Sequence, residues 1–499
     1  MLDFSGLRAH QERALQIAEM YTQGVRNFTD HKVVTANVTP GGGKTLMALL
    51  YADELLRAGL IDQVVVLVPR DSLASQMVDG WDCQKRGITR VLADGDNSTL
   101  ANHHMYAKSG YVATYQAVAA KPEKHERRVR KVNVGTLLIL DEPHHLALLS
   151  SDDAESTAWY AAVLPMFEAA KHVLLMSGTL VRHDGERIPF VTYDETNRPV
   201  ADITYTRKQA IEEEAVLPLE ITRIPADVEY QSGSHVRDVS LSEASSKEKS
   251  RALRAALERP EYRDEKTLEA LGEWLAYRKR VHDSSAIVIV HNQKTAEHIA
   301  RVIRKRMKID VALAISSIGH AAKVIRSFRN NIGGKVLVTV GMAYEGLDVP
   351  HATHMVCLTK TRSEPWLEQA FARITRFNPD FGPYEKQRAF LYVPDDQDMR
   401  AFLDRMAEEQ DTAFKEKAKR LGHEYVPPRN SFRALGATPG ESRYSDAAGN
   451  LSDEDSRIVN WMCRSFPELA DEPVRKILAI ADRMRGMGIA IGDDPEAAE

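Results

Sequence analysis

The sequence predicts an α/β protein with two tandem parallel-sheet domains, a helical insertion in the second domain and a helical C-terminal region. Three observations carry this. Short apolar runs rich in β-branched residues recur in two sets along the 499 residues. Helix-like stretches lie between many of them. The strand pattern then stops near residue 396. Continuous apolar strands alternating with helices mark parallel sheets covered on both faces.

The first set is VVTANV (33–38), VVVLV (64–68), YVAT (111–114), TLLIL (136–140) and HVLLM (172–176). The second is AIVIV (286–290), KVLVTV (335–340), HMVCL (354–358) and AFLYV (389–393). TLMALLYADELLRAG (45–59) and TAEHIARVIRKRM (295–307) are intervening helices. The expected domains are 1–206, 207–396 and 397–499. Residues 240–283 are charged and helix-prone without a strand pattern, which predicts a helical insertion. Residues 401–422 predict a helix, and the Pro/Gly/Ser-rich stretch 425–450 a loop or linker. Two further helices are expected beyond it, with Ser452 capping the first and Pro473 opening the second. In the last, Val474, Ile477, Leu478, Ala481 and Met484 share one face.

Composition excludes some classes. Hydrophobic residues make up 43% and charged residues 27%, ordinary for a globular chain that builds its core without staples. Cys83, Cys357 and Cys463 are odd in number and far apart, so neither a disulfide framework nor zinc spacing is expected, and a reducing cytosol is the natural home. The opening MLDFSGLRAHQ lacks a basic region followed by an apolar run, so no signal peptide is expected. No window approaches a membrane span. The net charge of −5 argues against a bulk-basic nucleic-acid binder but leaves room for a local basic groove.

Three segments carry chemistry. VTPGGGKT (38–45) follows an apolar run and opens a helix, the context a phosphate-binding loop requires. Gly41, Gly42 and Gly43 let backbone amides turn toward phosphates. Lys44 would reach the β- and γ-phosphates, and the Thr45 hydroxyl a Mg²⁺ ion. Val38 stands where the strict motif has its first glycine.

LLILDEPHH (137–145) ends a buried strand with two carboxylates. Open α/β sheets bind ligands beyond the carboxyl ends of their strands. Asp141 would hold Mg²⁺ through water, and Glu142 would orient and deprotonate an attacking water. His144 would couple this site to its neighbours. Zinc binding by His144 and His145 is the weaker alternative, since adjacent histidines on one turn rarely reach one metal.

WLEQAFARITRFNP (366–379) predicts a helix running to Pro379, with Gln369, Arg373 and Arg376 on one face. A planar guanidinium suits a transferring phosphoryl group. These arginines belong to the second domain, so they would act only when the domains close.

Together these pieces resemble the superfamily-two helicases of the DExH type, over roughly residues 5–395. The resemblance implies two RecA-like domains with ATP between them. LRAHQ (7–11) looks like the adenine-sensing motif, with Gln11 as base reader. VTPGGGKT, DEPH (141–144), SGT (177–179) and QAFARITR (369–376) look like motifs I, II, III and VI. VPRDSLASQ (68–76) and ATYQ (113–116) are similar to motif Ia and the strand-binding motif after it. VTVGMAYEGLDVP (338–350) looks like motif V, with Gly346 and Asp348 at the nucleotide. Ala372 stands where the family usually has glycine, and Gly178 where motif III has alanine. Arg70, Ser72, Thr114, Gln116 and Thr339 match positions expected to line the nucleic-acid path. The runs ERRVRK (126–131) and RVIRKRMK (301–308) either widen that basic surface or are solvated faces.

SGTLVRHDG (177–185), with the downstream insertion, resembles restriction-enzyme motor subunits and related phage or prophage helicases. That implies DNA in preference to RNA, ATP and Mg²⁺ as cofactors, and a bacterial or phage-infected cytoplasm. The expected activity is an ATP-driven DNA helicase or translocase. Two rivals stand beside it: the motor subunit of a nuclease complex whose partner cleaves, and an ATP-gated clamp that does not unwind. The apolar stripe of the C-terminal region could dock on the chain itself, bind a protein partner or grip DNA.

Overall fold

The computed structural model describes residues 6–81, 88, 90, 92–94, 109–148, 154–182, 185–232, 235–341, 349–422 and 432–434. Beyond these it describes Ile458, Met462, Ile477, Leu478, Ile480, Ala481 and Met484. Two compact units result, Met1–Leu435 and Gly436–Glu499.

The first unit opens with α1 (Ala9–Thr22), β1 (Val33–Val38), α2 (Lys44–Arg57), β2 (Gln63–Val68), α3 (Asp71–Gly80), β3 (Leu92–Asp94) and β4 (Gly110–Thr114). It continues with α4 (Tyr115–Ala120), α5 (Pro122–Arg130), β5 (Thr136–Asp141), α6 (Ala154–Ala169), β6 (His172–Ser177), β7 (Ile203–Tyr205) and α7 (Arg207–Glu212). Its strands form one sheet in the order β3-β4-β2-β5-β6-β1-β7, every pair parallel. All six positions of β2, β5 and β6 are buried, which is why these strands read as unbroken apolar runs.

The second half runs through β8 (Leu219–Ile224), β9 (Asp227–Ser232), β10 (His235–Ser240), α8 (Lys249–Glu258), α9 (Pro260–Arg278), β11 (Ser285–Val290) and α10 (Gln293–Met307). Then come β12 (Val311–Ala314), α11 (Ala321–Arg329), β13 (Val336–Thr339), β14 (Ala352–Leu358), α12 (Glu364–Phe371), β15 (Ala389–Pro394), α13 (Gln397–Leu421) and β16 (Phe432–Ala434). The order β12-β13-β11-β14-β15-β8-β16 makes a second all-parallel sheet. The expected α/β class with two parallel sheets is the observed one. The helices α8 and α9 lie within the charged stretch 240–283, and the antiparallel hairpin β9–β10 precedes them.

Two expectations need correction. Strands do not stop at residue 396: β16 adds to the edge of the second sheet, Phe432 opposite Ile221. The helix expected over 366–379 ends at Phe371. There the backbone tightens, with Arg373 N–H donating to Ala370 O (3.1 Å) and Ile374 N–H to Phe371 O (3.1 Å). Arg376 then bridges to Val216, and Leu217 N–H donates to Thr375 O at 2.7 Å. Pairing with the segment between the sheets therefore outcompetes continued helix, and the single helical face expected for Gln369, Arg373 and Arg376 does not form.

α13 ties the two cores together. Met399, Phe402, Leu403 and Met406 pack in the core of the second sheet, and Ala413 in that of the first, with Phe414 against it. Both basic runs sit on amphipathic helices. In α5, Arg127 and Arg130 bond to Glu123 O and Glu126; in α10, Arg304 donates to Val311 O and Arg306 pairs with Glu265. In the second unit Ile458, Met462, Ile477, Leu478 and Ala481 bury one another, with Ile480 and Met484 packed alongside. Val474, Ser452 and Pro473 lie outside the described residues, as does the expected linker 425–450 apart from the three residues of β16.

Candidate nucleotide site between the two sheets

Parallel pairing gathers three loops at one edge of the first sheet. Asn37 of β1 lies opposite Ser177 of β6, and Met176 opposite Asp141 of β5. The loop after β1 carries Gly41, Gly42, Gly43 and then Lys44, the first residue of α2. Gly41 (φ 85°) and Gly43 (φ 99°) occupy the left-handed region, where a side chain would be strained. A Cβ on Gly42 would fall 2.9 Å from Thr39 O, so the loop tolerates no larger residue there.

Lys44 forms an ion pair with Glu142, and its ammonium lies 3.9 Å from Asp141. Burial alone would depress the Lys44 pKa; the two carboxylates outweigh it and hold the ammonium above its ordinary value. Burial would likewise raise Glu142, but Lys44, then His144, and hydrogen bonds from Lys44 and Ser177 bring it below the usual carboxylate range. Glu142 sits at φ 51°, an uncommon conformation for a non-glycine residue, with its N–H bonded to Met176 O at 2.8 Å. Its carboxylate meets Ser177 Oγ at 2.5 Å and accepts from Gly178 N–H at 3.3 Å. His144 Nδ1 stands 3.3 Å from Ser177 Oγ and 3.4 Å from Glu142 Oε2. The turn after β5 is braced twice: Tyr115 O–H donates to Asp141 O at 2.8 Å, and Arg182 donates to the carbonyls of His144 and Leu146.

The N-terminal segment packs on the glycine loop. Gln11 is buried and accepts from Arg8 N–H at 3.1 Å. Arg8 Nη1 donates to Gly42 O at 2.5 Å. A Cβ on Gly43 would lie 2.9 Å from Gln11 Nε2, so both side chains press against the loop. The Thr45 methyl packs toward Gly80.

The second sheet supplies the opposite wall. Arg376 Cδ and Nε come within 4.0 Å of where a Gly41 Cβ would be. Arg373 is near enough to Lys44 to disfavour its charge. Gln369 is buried, and its Nε2 has no partner among the described residues. Lys44, Glu142, Arg373 and Arg376 thus come together; Gly346 and Asp348 lie outside the described residues.

The residues expected on the nucleic-acid path follow strand ends of both sheets. Arg70 is exposed at the start of α3, and Gln116 is exposed on α4. Thr114 is buried, and its hydroxyl accepts from Ala117 N–H at 3.1 Å as a helix cap. Thr339 ends β13 fully buried, its hydroxyl without a partner among the described residues. The Ser72 side chain lies outside the described residues. Arg8 and Ser177, inside the segments LRAHQ and SGT, join the site through contacts that no residue pattern of their own announces.

Comparison with known proteins agrees with this geometry. Residues 5–182 match the ResIII family (type III restriction enzyme, res subunit), and residues 266–378 match the helicase conserved C-terminal domain. An uncharacterized protein of Mycobacterium tuberculosis is 30% identical over 388 residues, covering 74% of this chain and 59% of that protein. A Mycobacterium leprae relative is 28% identical over 410 residues, 79% of this chain and 62% of that one. The chain therefore spans about three fifths of the length of these relatives. Among solved structures, a fragment of an HsdR-type subunit of a Vibrio vulnificus type I restriction enzyme superposes with TM-score 0.51 at 17% identity, covering 80% of this chain and 68% of that one. The ATP-dependent type ISP restriction-modification enzyme LlaBIII, bound to DNA, superposes with TM-score 0.53 at 13% identity, covering 94% of this chain and 35% of that enzyme. Among the described residues, no helix is long and apolar enough to cross a membrane. With a ResIII match on the first sheet and a helicase C-terminal match on the second, in tandem around one cleft, the chain resembles the superfamily-two helicases.

Proposed function

We propose that the chain is an ATP- and Mg²⁺-dependent DNA motor, a helicase or translocase whose hydrolysis cycle opens and closes the cleft between its two sheets. The observation that supports this most is the convergence of Lys44 and Glu142 from the first sheet with Arg373 and Arg376 from the second. The glycine cradle and the lysine fit a nucleotide triphosphate, and Thr45 with Asp141 fits Mg²⁺. When bound, these groups supply the transferring phosphoryl and neutralise its charge.

Lys44 exchanges its carboxylate partner for phosphate oxygens. Glu142, freed from Lys44 but still held by Ser177 and Gly178, takes the proton of the attacking water. Gln11 with Arg8 fixes the glycine loop from the adenine side. Arg373 and Arg376 stabilise the spread phosphoryl charge only when the second sheet closes, so hydrolysis follows cleft geometry. Arg70 and Gln116, exposed at strand ends, contact backbone phosphates, and sequence preference is weak.

The resemblance to restriction-enzyme motors favours DNA and leaves the second reading, a motor whose partner cleaves; the second unit, Gly436–Glu499, is a place for such a partner. The discriminating experiment is the ATPase rate with single-stranded, duplex and forked DNA and with RNA, alongside strand displacement and plasmid cleavage. Stimulation by DNA with displacement or translocation supports the motor; DNA binding without either marks a clamp.

A further inference from the structure

Behind the nucleotide site lies a cavity of about 510 Å³ between the two sheets. The first sheet contributes Thr179, Arg182 and Arg207 to its wall, and the second contributes Glu364, Glu368 and Glu409. Glu368 immediately precedes Gln369 on α12, so the cavity abuts the helix that leads into the arginine segment.

The cations nearby are already engaged. Arg182 donates to two carbonyls of the turn after β5. Arg207 donates to Met406 O at 3.1 Å and Gln410 Oε1 at 3.0 Å, which fixes it on α13. Arg405 pairs with Glu364. Among the described residues, neither Glu368 nor Glu409 has an ion pair. Two carboxylates, the half-buried Glu368 on α12 and the exposed Glu409 on α13, therefore line one cavity that opens to solvent. Burial, then Glu409, push Glu368 up to about 7; Arg207 opposes this, Glu364 adds to it and Arg405 opposes it.

We propose that Glu368 is a positioning residue whose charge releases the cleft: ionised, it repels Glu409 as the cavity tightens and loosens α12, and neutral, it lets α12 settle against the first sheet. Closure removes water between like charges and so strengthens their repulsion. The inference rests on the motor reading above, because a motor must reopen after each hydrolysis.

The sign follows from linkage. This arrangement holds the proton more tightly than a solvated glutamate, so it is favoured at low pH. It loses stability as pH rises from the ordinary carboxylate value to about 7, with the full penalty above that. Glu368→Gln removes the penalty. The experiment compares wild type, Glu368→Gln and Glu409→Gln between pH 5 and 9, by thermal melting without nucleotide and by affinity for a fluorescent ADP analogue. Glu368→Gln should melt higher than wild type above pH 7, with the gap closing toward pH 5. The ratio of ADP affinities, variant over wild type, should grow roughly three- to tenfold from pH 6 to 8; taking the ratio cancels the titration of the nucleotide. Glu409→Gln should move the wild-type midpoint to lower pH.

A ratio that stays flat overturns the proposal. A melting gap without an affinity change also overturns it, since the charge would then act on the fold alone. Should Glu368→Gln fold poorly, an unmoved midpoint in Glu409→Gln overturns it instead. Melting needs no hydrolysis, so an inactive wild type would count against the motor reading separately.

Discussion

The Lys44 ammonium, at the start of α2, and the Glu142 carboxylate, just past β5, meet in a direct ion pair that is largely buried. Neither charge is stable there alone. Removing one partner of a buried pair leaves the other uncompensated, at a cost of about 3–5 kcal/mol. Lys44→Ala should therefore bind nucleotide poorly and abolish hydrolysis, with a lowered melting temperature. Glu142→Gln should keep nucleotide binding and slow turnover roughly 10²–10⁴-fold, the worth of a general base. Calorimetric binding and a phosphate-release assay check both. A Glu142→Gln variant with the wild-type turnover would remove Glu142 from the chemistry.

This pair also sets a pH window. Glu142 lies below its ordinary value of 4.5, so its contribution is complete above that value and is lost as pH falls through the lowered pKa. Lys44 lies above its ordinary value of 10.5, so its contribution is complete below that value and is lost as pH rises through the raised one. Melting should show no transition from the pair between pH 6 and 9. An inflection there that Glu142→Gln abolishes would contradict this ionisation state.

Ser177 holds the carboxylate in place at 2.5 Å. Ser177→Ala should lower kcat about tenfold with little change in KM, since a buried acceptor loses a bond worth about 1–2 kcal/mol. Ser177→Thr, which keeps the hydroxyl, should recover part of the loss. Equal kcat in wild type and Ser177→Ala would show that Gly178 N–H suffices.

Arg376 lies over Gly41 from the opposite sheet, and its backbone, not its side chain, bridges to Val216. Arg376→Ala should preserve the melting temperature and nucleotide affinity while slowing hydrolysis by up to about 10³–10⁵-fold, the range of an arginine finger. Loss of binding with unaltered turnover would make Arg376 a ground-state contact instead.

Gln410 of α13 accepts from Leu219 N–H (2.9 Å) and Arg207 (3.0 Å) and donates to Leu219 O (3.2 Å) while buried. Gln410→Ala strands three groups and should destabilise the fold by about 1–3 kcal/mol. Urea unfolding measures it; a midpoint unchanged from wild type would mean that α13 does not clasp the two cores through this residue.

Much of this was legible in the residues. VVVLV and TLLIL read as strands because both faces of a parallel sheet are covered, and the glycine loop and the acidic box each follow directly from a strand. The short strands β3 and β7 and the edge strand β12 left too few residues to show a pattern. β8 was hidden because LEITRI carries Glu220 and Arg223 among its apolar positions. The end of α12 was invisible for a different reason: nothing in ARITR marks a stop, and only pairing with Val216 and Leu217, more than 150 positions away in sequence, draws Thr375 and Arg376 out of helix. Glu368 read as an ordinary charged helix residue until α13 brought Glu409 to the same cavity.

The measurement that bears most directly on the central claim is steady-state ATP hydrolysis with and without nucleic acid, repeated across salt concentration. Phosphate contacts release counterions, so DNA should raise the rate, with an apparent affinity that falls steeply with salt and varies little with sequence. Glu142→Gln should show no such rise. An ATPase indifferent to every DNA and RNA tested would contradict the assignment of this cleft to a nucleic-acid motor.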